Sequence, residues 1–190
     1  MTGGVPSLLW VIDAGLTYFI NSFGGHVALV DSLMRLVSLV GAPLMVLAVA
    51  GQWWSKGDRH QTRHVLVSAG LSFLLGLAVN QVVLQFVQRI RPYDAGVTRL
   101  LVAPSLDPSF PSDHATAAFA IALTMTAFGH RGKWLYLISA ILISISRVYL
   151  GMHYVSDIAG GAITGIVAVG LVRQFYQRSS RVDRFLTGIL

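Results

Sequence analysis

The chain has no cysteine among its 190 residues, so neither a disulfide framework nor a thiolate metal site is open to it. It is also poor in charge: only 12% of its residues are Asp, Glu, Lys or Arg, against 54% hydrophobic. With a mean hydropathy of +0.66, it is too apolar for an ordinary soluble domain and reads as an integral membrane protein. No Lys or Arg precedes Arg35, so the residues at hand offer no basic n-region of the kind a cleaved signal peptide carries. Internal repeats and low-complexity tracts are absent too, and residues 1–190 read as one domain. The net charge of +6 comes from short basic runs between apolar segments rather than one exposed stripe, which argues for membrane topology and against a nucleic-acid partner.

What is present is a series of long apolar stretches. A hydrocarbon core of roughly 30 Å takes about 20 helical residues to cross. Five candidate spans meet or approach that length: about Val27 to Ala50, Val65 to Val87, Ser112 to Gly129, Trp134 to Leu150 and Val155 to Val172. The last three are short, so their ends should lie at the interface or line a cavity. Ahead of them, Leu8 to Gly25 is interrupted by Asp13, Asn21 and glycine and reads as an interfacial helix. Ser68, Ser72 and Gly76, and likewise Gly161 and Gly165, recur at four-residue spacing and would let helices approach closely. The expected architecture is all-α: a polytopic bundle of five transmembrane helices plus an amino-terminal interfacial helix.

Basic residues set the orientation, because cytoplasmic loops carry the excess of Lys and Arg. Lys56, Arg59 and Arg63 lie between spans one and two, Arg131 and Lys133 between three and four, and Arg173, Arg178, Arg181 and Arg184 after five. These loops and the carboxyl terminus are therefore expected in the cytoplasm. The loop from Pro92 to Pro111, which carries Arg99, Asp94 and Asp107, is expected outside. Three motifs then meet in one outer layer: RIRP at the end of span two, SDH at the start of span three, and His153 between spans four and five.

Arg91, Ser112, His114, Arg147, His153 and Asp157 supply two guanidinium forks, a hydroxyl, two imidazoles and a carboxylate. Ionisable groups in such apolar surroundings normally face the bundle interior or a cavity. Arginine forks match phosphate oxygens. Ser112 is an N-cap candidate, which would put the amides of Asp113 and His114 at an anion-favouring helix start. Asp157 is four residues after His153, and if span five has begun by then it can orient the ring and raise the nucleophilicity of the other nitrogen. His153 is then a candidate in-line nucleophile at phosphorus. His114 can protonate the leaving oxygen and afterwards activate water, while Arg91 and Arg147 stabilise the transition-state charge.

These residues resemble the motifs of the type-2 phosphatidic acid phosphatase superfamily, whose membrane members share a helical core with vanadium-dependent haloperoxidases. Its patterns are Lys-x6-Arg-Pro, Pro-Ser-Gly-His and Ser-Arg-x5-His-x3-Asp. Here they correspond to Arg91 and Pro92; Pro111, Ser112 and His114; and Ser146, Arg147, His153 and Asp157, within a core of about residues 65–172. The resemblance implies hydrolysis of phosphate esters or anhydrides without metal or other cofactor. It makes His153 the nucleophile, His114 the acid and base, Asp157 the orienter, and Arg91, Ser112 and Arg147 the phosphate ligands; Asp113, whose amide would sit at the helix start, is a further substrate-binding candidate. Two positions depart from the pattern. Leu84 stands where the first Lys falls, leaving Arg89, Gln81, Gln85 or Gln88 to replace it, with Gln88 expected nearest the Arg91 face. Asp113 replaces the motif glycine. FPSDHAT with this weaker first motif is similar to the bacterial undecaprenyl-diphosphatase, bacitracin-resistance branch. That similarity implies, among polyprenyl and phospholipid phosphates, undecaprenyl diphosphate as substrate, cut at the outer face of the bacterial cytoplasmic membrane to regenerate the monophosphate carrier for cell-wall synthesis.

Taken singly, each residue has a plainer reading: Arg-Pro as a helix boundary, Ser-Asp-His as a cap, His153 with Asp157 as a structural pair. Their conjunction on one membrane side favours the enzyme. Competing readings are a phosphatase of phosphatidylglycerophosphate, phosphatidic acid or lipid A, and a non-enzymatic transporter that binds a phosphate head group. Elsewhere the plain readings prevail. His60 and His64 are expected in a solvated charged turn, Asp31 and Arg35 as a pair in span one, and Trp10, Trp53, Trp54 and Trp134 as interfacial anchors.

Overall fold

The computed structural model describes residues 7–189, which form α-helices joined by turns and loops; residues 1–6 and Leu190 lie outside the described residues. The helices among the described residues are α1 (Leu8–Ser22), α2 (Ala28–Ala50), α3 (Arg59–Phe86), α4 (Asp113–Ala127), α5 (Lys133–Tyr149), α6 (Val155–Phe175) and α7 (Arg181–Thr187), with a 3-10 turn at Gly51–Trp54. Among the described residues, three stretches, Ala28–Trp54, Arg59–Phe86 and Val155–Phe175, are long and apolar enough to cross a membrane. At 15 and 17 residues, α4 and α5 are short as expected, whereas α6 continues to Phe175 and at 21 residues is not.

Helix α4 lies at the centre, packed by α3, α5 and α6. Its alanines make this possible: Ala115, Ala118, Ala120 and Ala122 are all fully buried, so neighbouring backbones come close. The spaced glycines serve the same contacts. A Cβ on Gly161 would come within 2.6 Å of the Ser112 carbonyl oxygen, and one on Gly76 within 2.8 Å of Thr116 Cγ2. One core cluster joins Met45, Leu66, Ile121, Met125, Tyr136 and Ile143, from four helices. A smaller one gathers Tyr149, Leu150 and Met152 with Ile20, Met34 and Leu101, beneath the 92–111 loop. Asn21 ties that loop to the bundle: its amide donates to the Arg99 and Tyr149 carbonyls at 2.9 and 2.8 Å, and its oxygen accepts from the Arg99 amide at 2.8 Å.

Three expectations change in the folded chain. Helix α3 begins at Arg59, six residues before the apolar run, because Asp58 caps it by accepting from the Gln61 amide at 3.0 Å. His64 is consequently not in a solvated turn but buried, with Nδ1 2.8 Å from Asp183 Oδ1 and its ring stacked on Tyr176. Its neighbour Arg63 lies over Trp53 at 4.7 Å, a cation–π contact worth about 0.5–2 kcal/mol, so Trp53 packs inward while Trp10, Trp54 and Trp134 stay exposed. Asp31 does not turn to Arg35. It accepts from the Gly25 amide at 2.8 Å and the Tyr149 hydroxyl at 2.7 Å, because the start of α2 is packed against the end of α5.

Asp183 pins the carboxyl-terminal helix to α3 and α6. Burial pushes its carboxyl pKa up, but hydrogen bonds from Tyr176, His64 and the Ser179 amide outweigh that and leave it lowered. A depressed carboxylate contributes stability that is present above its unfolded pKa and is lost as pH falls through the folded one. Asp183→Asn is therefore expected to lower the Tm of detergent-solubilised protein by roughly 5–10 °C at neutral pH, and the gap should close on acidification. A melting scan of both proteins at several pH values checks this.

Candidate active site

The chain alternates direction through the bundle, so α3 and α5 end where α4 and α6 begin. The first and second motifs flank the 92–111 loop there, and the third spans the α5–α6 turn. A cavity of about 200 Å³ opens at this end, and Arg91, Asp113, His114, Arg147 and His153 all line it. Both imidazoles and both guanidinium groups predicted from sequence thus share one space.

Each group is held in a definite way. Arg91 is nearly buried: Nε donates to the Asp107 carbonyl at 2.8 Å, Nη1 to the Met152 carbonyl at 2.9 Å, and Nη2 to Ser105 Oγ at 3.2 Å. Its Nη1 also stands 3.5 Å from His153 Nε2. Arg147, in the last turn of α5, donates from Nη1 to Ser38 Oγ on α2 at 2.7 Å. Its buried Nε has no hydrogen-bond partner among the described residues. Ser112 occupies the N-cap position of α4 but makes no capping bond with its side chain. Its amide donates to the Asp157 carbonyl at 3.1 Å, and its fully buried hydroxyl has no partner among the described residues. A buried donor without a partner costs free energy unless a ligand satisfies it. Two such donors next to a cationic cavity suit an anion.

The His153 ring is oriented differently from the expectation. His153 precedes α6, whose N-cap is Tyr154, so one-turn helical spacing to Asp157 does not apply. Nδ1 lies 2.8 Å from the Ser109 carbonyl oxygen and 3.6 Å from Asp157 Oδ2. The direct hydrogen bond is therefore to Ser109, with Asp157 beyond it. That bond puts the proton on Nδ1 and leaves Nε2 with its lone pair toward Arg91 and the cavity. Burial, reinforced by Arg147 and Arg91, holds the imidazole below its usual pKa against the opposing pull of Asp157. Asp157 is itself fully occupied, accepting from Arg89 Nη1 at 2.6 Å, from the Tyr154 amide at 2.8 Å and from the Ser109 hydroxyl.

Leu84 and Gln81 line the cavity, whereas Gln85, Gln88 and Arg89 are not among its lining residues. Gln88 misses the expected face because α3 ends at Phe86 and Val87 is extended, so helical register does not carry through to Arg91. Gln88 instead folds back, its amide donating to the Leu84 carbonyl at 2.5 Å. Asp113 is held across the α3–α4 contact by Asn80, whose amide donates to Oδ1 at 2.7 Å and to Thr116 Oγ1 at 2.9 Å. Sequence reading missed Asn80, Ser109 and Ser38. Asn80 carried a signal, a polar amide within an apolar span; the serines carried none.

The sequence pattern of the PAP2 superfamily matches residues 59–181, from the start of α3 to the start of α7. The chain belongs to the PAP2 superfamily. It is 30% identical over 151 residues to the undecaprenyl-diphosphatase BcrC of Bacillus subtilis, covering 78% of this chain and 76% of that protein. Among solved structures, the PAP2-type phosphatidylglycerolphosphate phosphatase of Bacillus subtilis superposes with a TM-score of 0.68 at 25% identity, over 93% of this chain and 90% of that one. Aquifex aeolicus LpxE, at 21% identity, shares the fold with the same TM-score over 86% of this chain and 96% of its own. This PAP2 protein is thus an integral membrane lipid phosphatase.

Proposed function

We propose that this PAP2 phosphatase hydrolyses undecaprenyl diphosphate to the monophosphate at the outer face of the bacterial cytoplasmic membrane. The observation that carries the chemistry is His153 Nε2, poised 3.5 Å from Arg91 in the cavity shared with His114 and Arg147. Nε2 attacks the terminal phosphorus in line and forms a phosphohistidine. His114 protonates the departing oxygen and then takes a proton from the water that releases inorganic phosphate. Arg91, Arg147 and the Ser112 hydroxyl carry the charge on the non-bridging oxygens, as guanidinium forks do in phosphoryl transfer. The substrate assignment is supported by Asp113 in the second motif, by Leu84 in place of the first Lys, and by the similarity to BcrC. In this reading α2 to α6 are five spans, α1 lies along the interface, and the basic loops and carboxyl terminus are cytoplasmic.

The test is phosphate release by purified protein from undecaprenyl diphosphate, phosphatidylglycerophosphate, phosphatidic acid and lipid A in the same detergent. Undecaprenyl diphosphate should give the highest kcat/KM; a higher value for any other lipid overturns the substrate assignment. Arginines and imidazoles supply the charge stabilisation, so full activity is expected in excess EDTA, and loss restored by Mg2+ would contradict the mechanism. Vanadate should compete with substrate by adopting the five-coordinate geometry of the transition state at His153.

A further inference from the structure

Arg89 is two residues from the phosphate-facing Arg91 yet turns the other way. Its Nη1 donates to Asp157 Oδ1 and Ser156 Oγ, each at 2.6 Å, and its Nη2 to Asp13 Oδ2 on α1 at 2.6 Å. The guanidinium lies 3.9 Å from the centre of the Tyr154 ring. Its main chain acts as well: the Arg89 carbonyl accepts from the Ser109 amide at 2.8 Å, and it is the Ser109 carbonyl that orients His153. Asp13 completes the arrangement from α1, accepting from the Ser156 amide at 2.9 Å and its hydroxyl at 2.5 Å, in the first turn of α6. Thr17, one turn further along α1, accepts from the Val155 amide at 3.1 Å.

From this network we propose that Arg89 and Asp13 are positioning residues for the phosphatase reaction, and that α1 is a strut seating the His153–Asp157 pair rather than only a membrane anchor. The inference rests on the His153 chemistry proposed above. Asp157 is fully buried, and a buried carboxylate left without a cation is costly. Lacking Arg89, it would relieve that cost by drawing a proton onto His153, and an imidazolium has no lone pair with which to attack. Arg89 therefore lets Asp157 lie near the ring without charging it. Asp13 in turn balances Arg89 and fixes its direction. The other charged and titratable groups around the cavity with His153 are Arg91 and Asp107 from the α3–α4 loop, Asp113 and His114 from α4, and Arg147 from α5.

The experiment compares wild type, Arg89→Gln, Arg89→Lys, Asp13→Asn, the Arg89→Gln/Asp13→Asn double variant and His153→Ala, all purified in detergent. Arg89→Gln should lower kcat roughly 10²-fold with KM changed by less than about threefold, as loss of a group that orients a reacting residue does. Its acid limb should move to higher pH, a displacement that a merely structural defect would not produce, and Arg89→Lys should restore part of both. Asp13→Asn should cost about tenfold alone and nothing further in the Arg89→Gln background, because the two act in one chain. A folded Arg89→Gln protein with wild-type kcat and pH profile overturns the inference, as does full additivity in the double variant. Should Arg89→Gln fail to fold, Asp13→Asn decides by itself: wild-type kcat overturns, and a tenfold loss at constant KM supports. His153→Ala separates the two levels. If it retains wild-type activity, the nucleophile reading fails and this inference with it; if it is inactive while Arg89→Gln is normal, this inference alone fails.

Discussion

Replacing His153 with alanine is expected to lower the rate of phosphate release by roughly 10⁴-fold or more, the scale on which loss of a covalent nucleophile is felt. The loss should appear in kcat, because Arg91, Arg147 and Ser112 remain to bind the phosphate. Rapid quenching of wild type with radiolabelled substrate should trap an acid-labile phosphoenzyme that the variant does not form; an equal yield from the variant would place the nucleophile elsewhere. The pH profile carries a second signature of the same residue. Attack requires the neutral ring, and burial with two nearby arginines holds the His153 pKa below its usual range. Because the folded value is lowered, the neutral form persists as pH falls past about 6.5, and the acid limb of kcat/KM assigned to His153 should lie below that value. An acid limb well above pH 7 would mean that Asp157 controls the ring more strongly than the arginines do.

Arg147→Ala is expected to give the next largest effect, a fall of about 10³-fold in kcat/KM. Two features single it out. Its Nε is buried without a partner among the described residues, so a bound phosphate oxygen would satisfy it, whereas Arg91 is already tied to three backbone carbonyls and Ser105. Among the described residues its side-chain anchor is Ser38, on a helix that carries none of the motifs. Arg147→Lys should recover little, because one ammonium cannot bond Ser38 and a phosphate with the planar geometry of the fork. Ser38→Ala, which frees the fork without removing it, should cost about tenfold or less. If Arg147→Lys matches wild type in a phosphate-release assay, charge alone suffices and the fork geometry is irrelevant.

The site was legible to the extent that its residues are close in sequence to a feature that needs them. Ser112, Asp113 and His114 had to open a helix, and His153 had to occupy the turn before one; both could be read from a polar cluster at the edge of an apolar run. The packing glycines were legible for a similar reason, because close approach of helices requires small residues at one-turn spacing. Gln88 shows where such reading fails. Its expected position assumed that α3 continues to Arg91, and the helix stops at Phe86. His64 fails in the opposite direction: a basic run suggested solvent, but Asp183, 119 residues later, draws the ring into the interior.

The sequence by itself determined that the chain is an all-helical membrane protein, and it identified the two arginines, two histidines, serine and aspartate of the three motifs, because solvation in lipid makes each polar group conspicuous. Tertiary structure alone decided what those groups face. Asn80 reaches Asp113 across 33 residues, Arg147 reaches Ser38 across 109, and Asp13 meets Ser156 across 143. No local periodicity encodes such pairings. They arise because α4 packs tightly enough against α3, α5 and α6 to bring distant helix ends into one layer, where buried charges find the partners that burial demands.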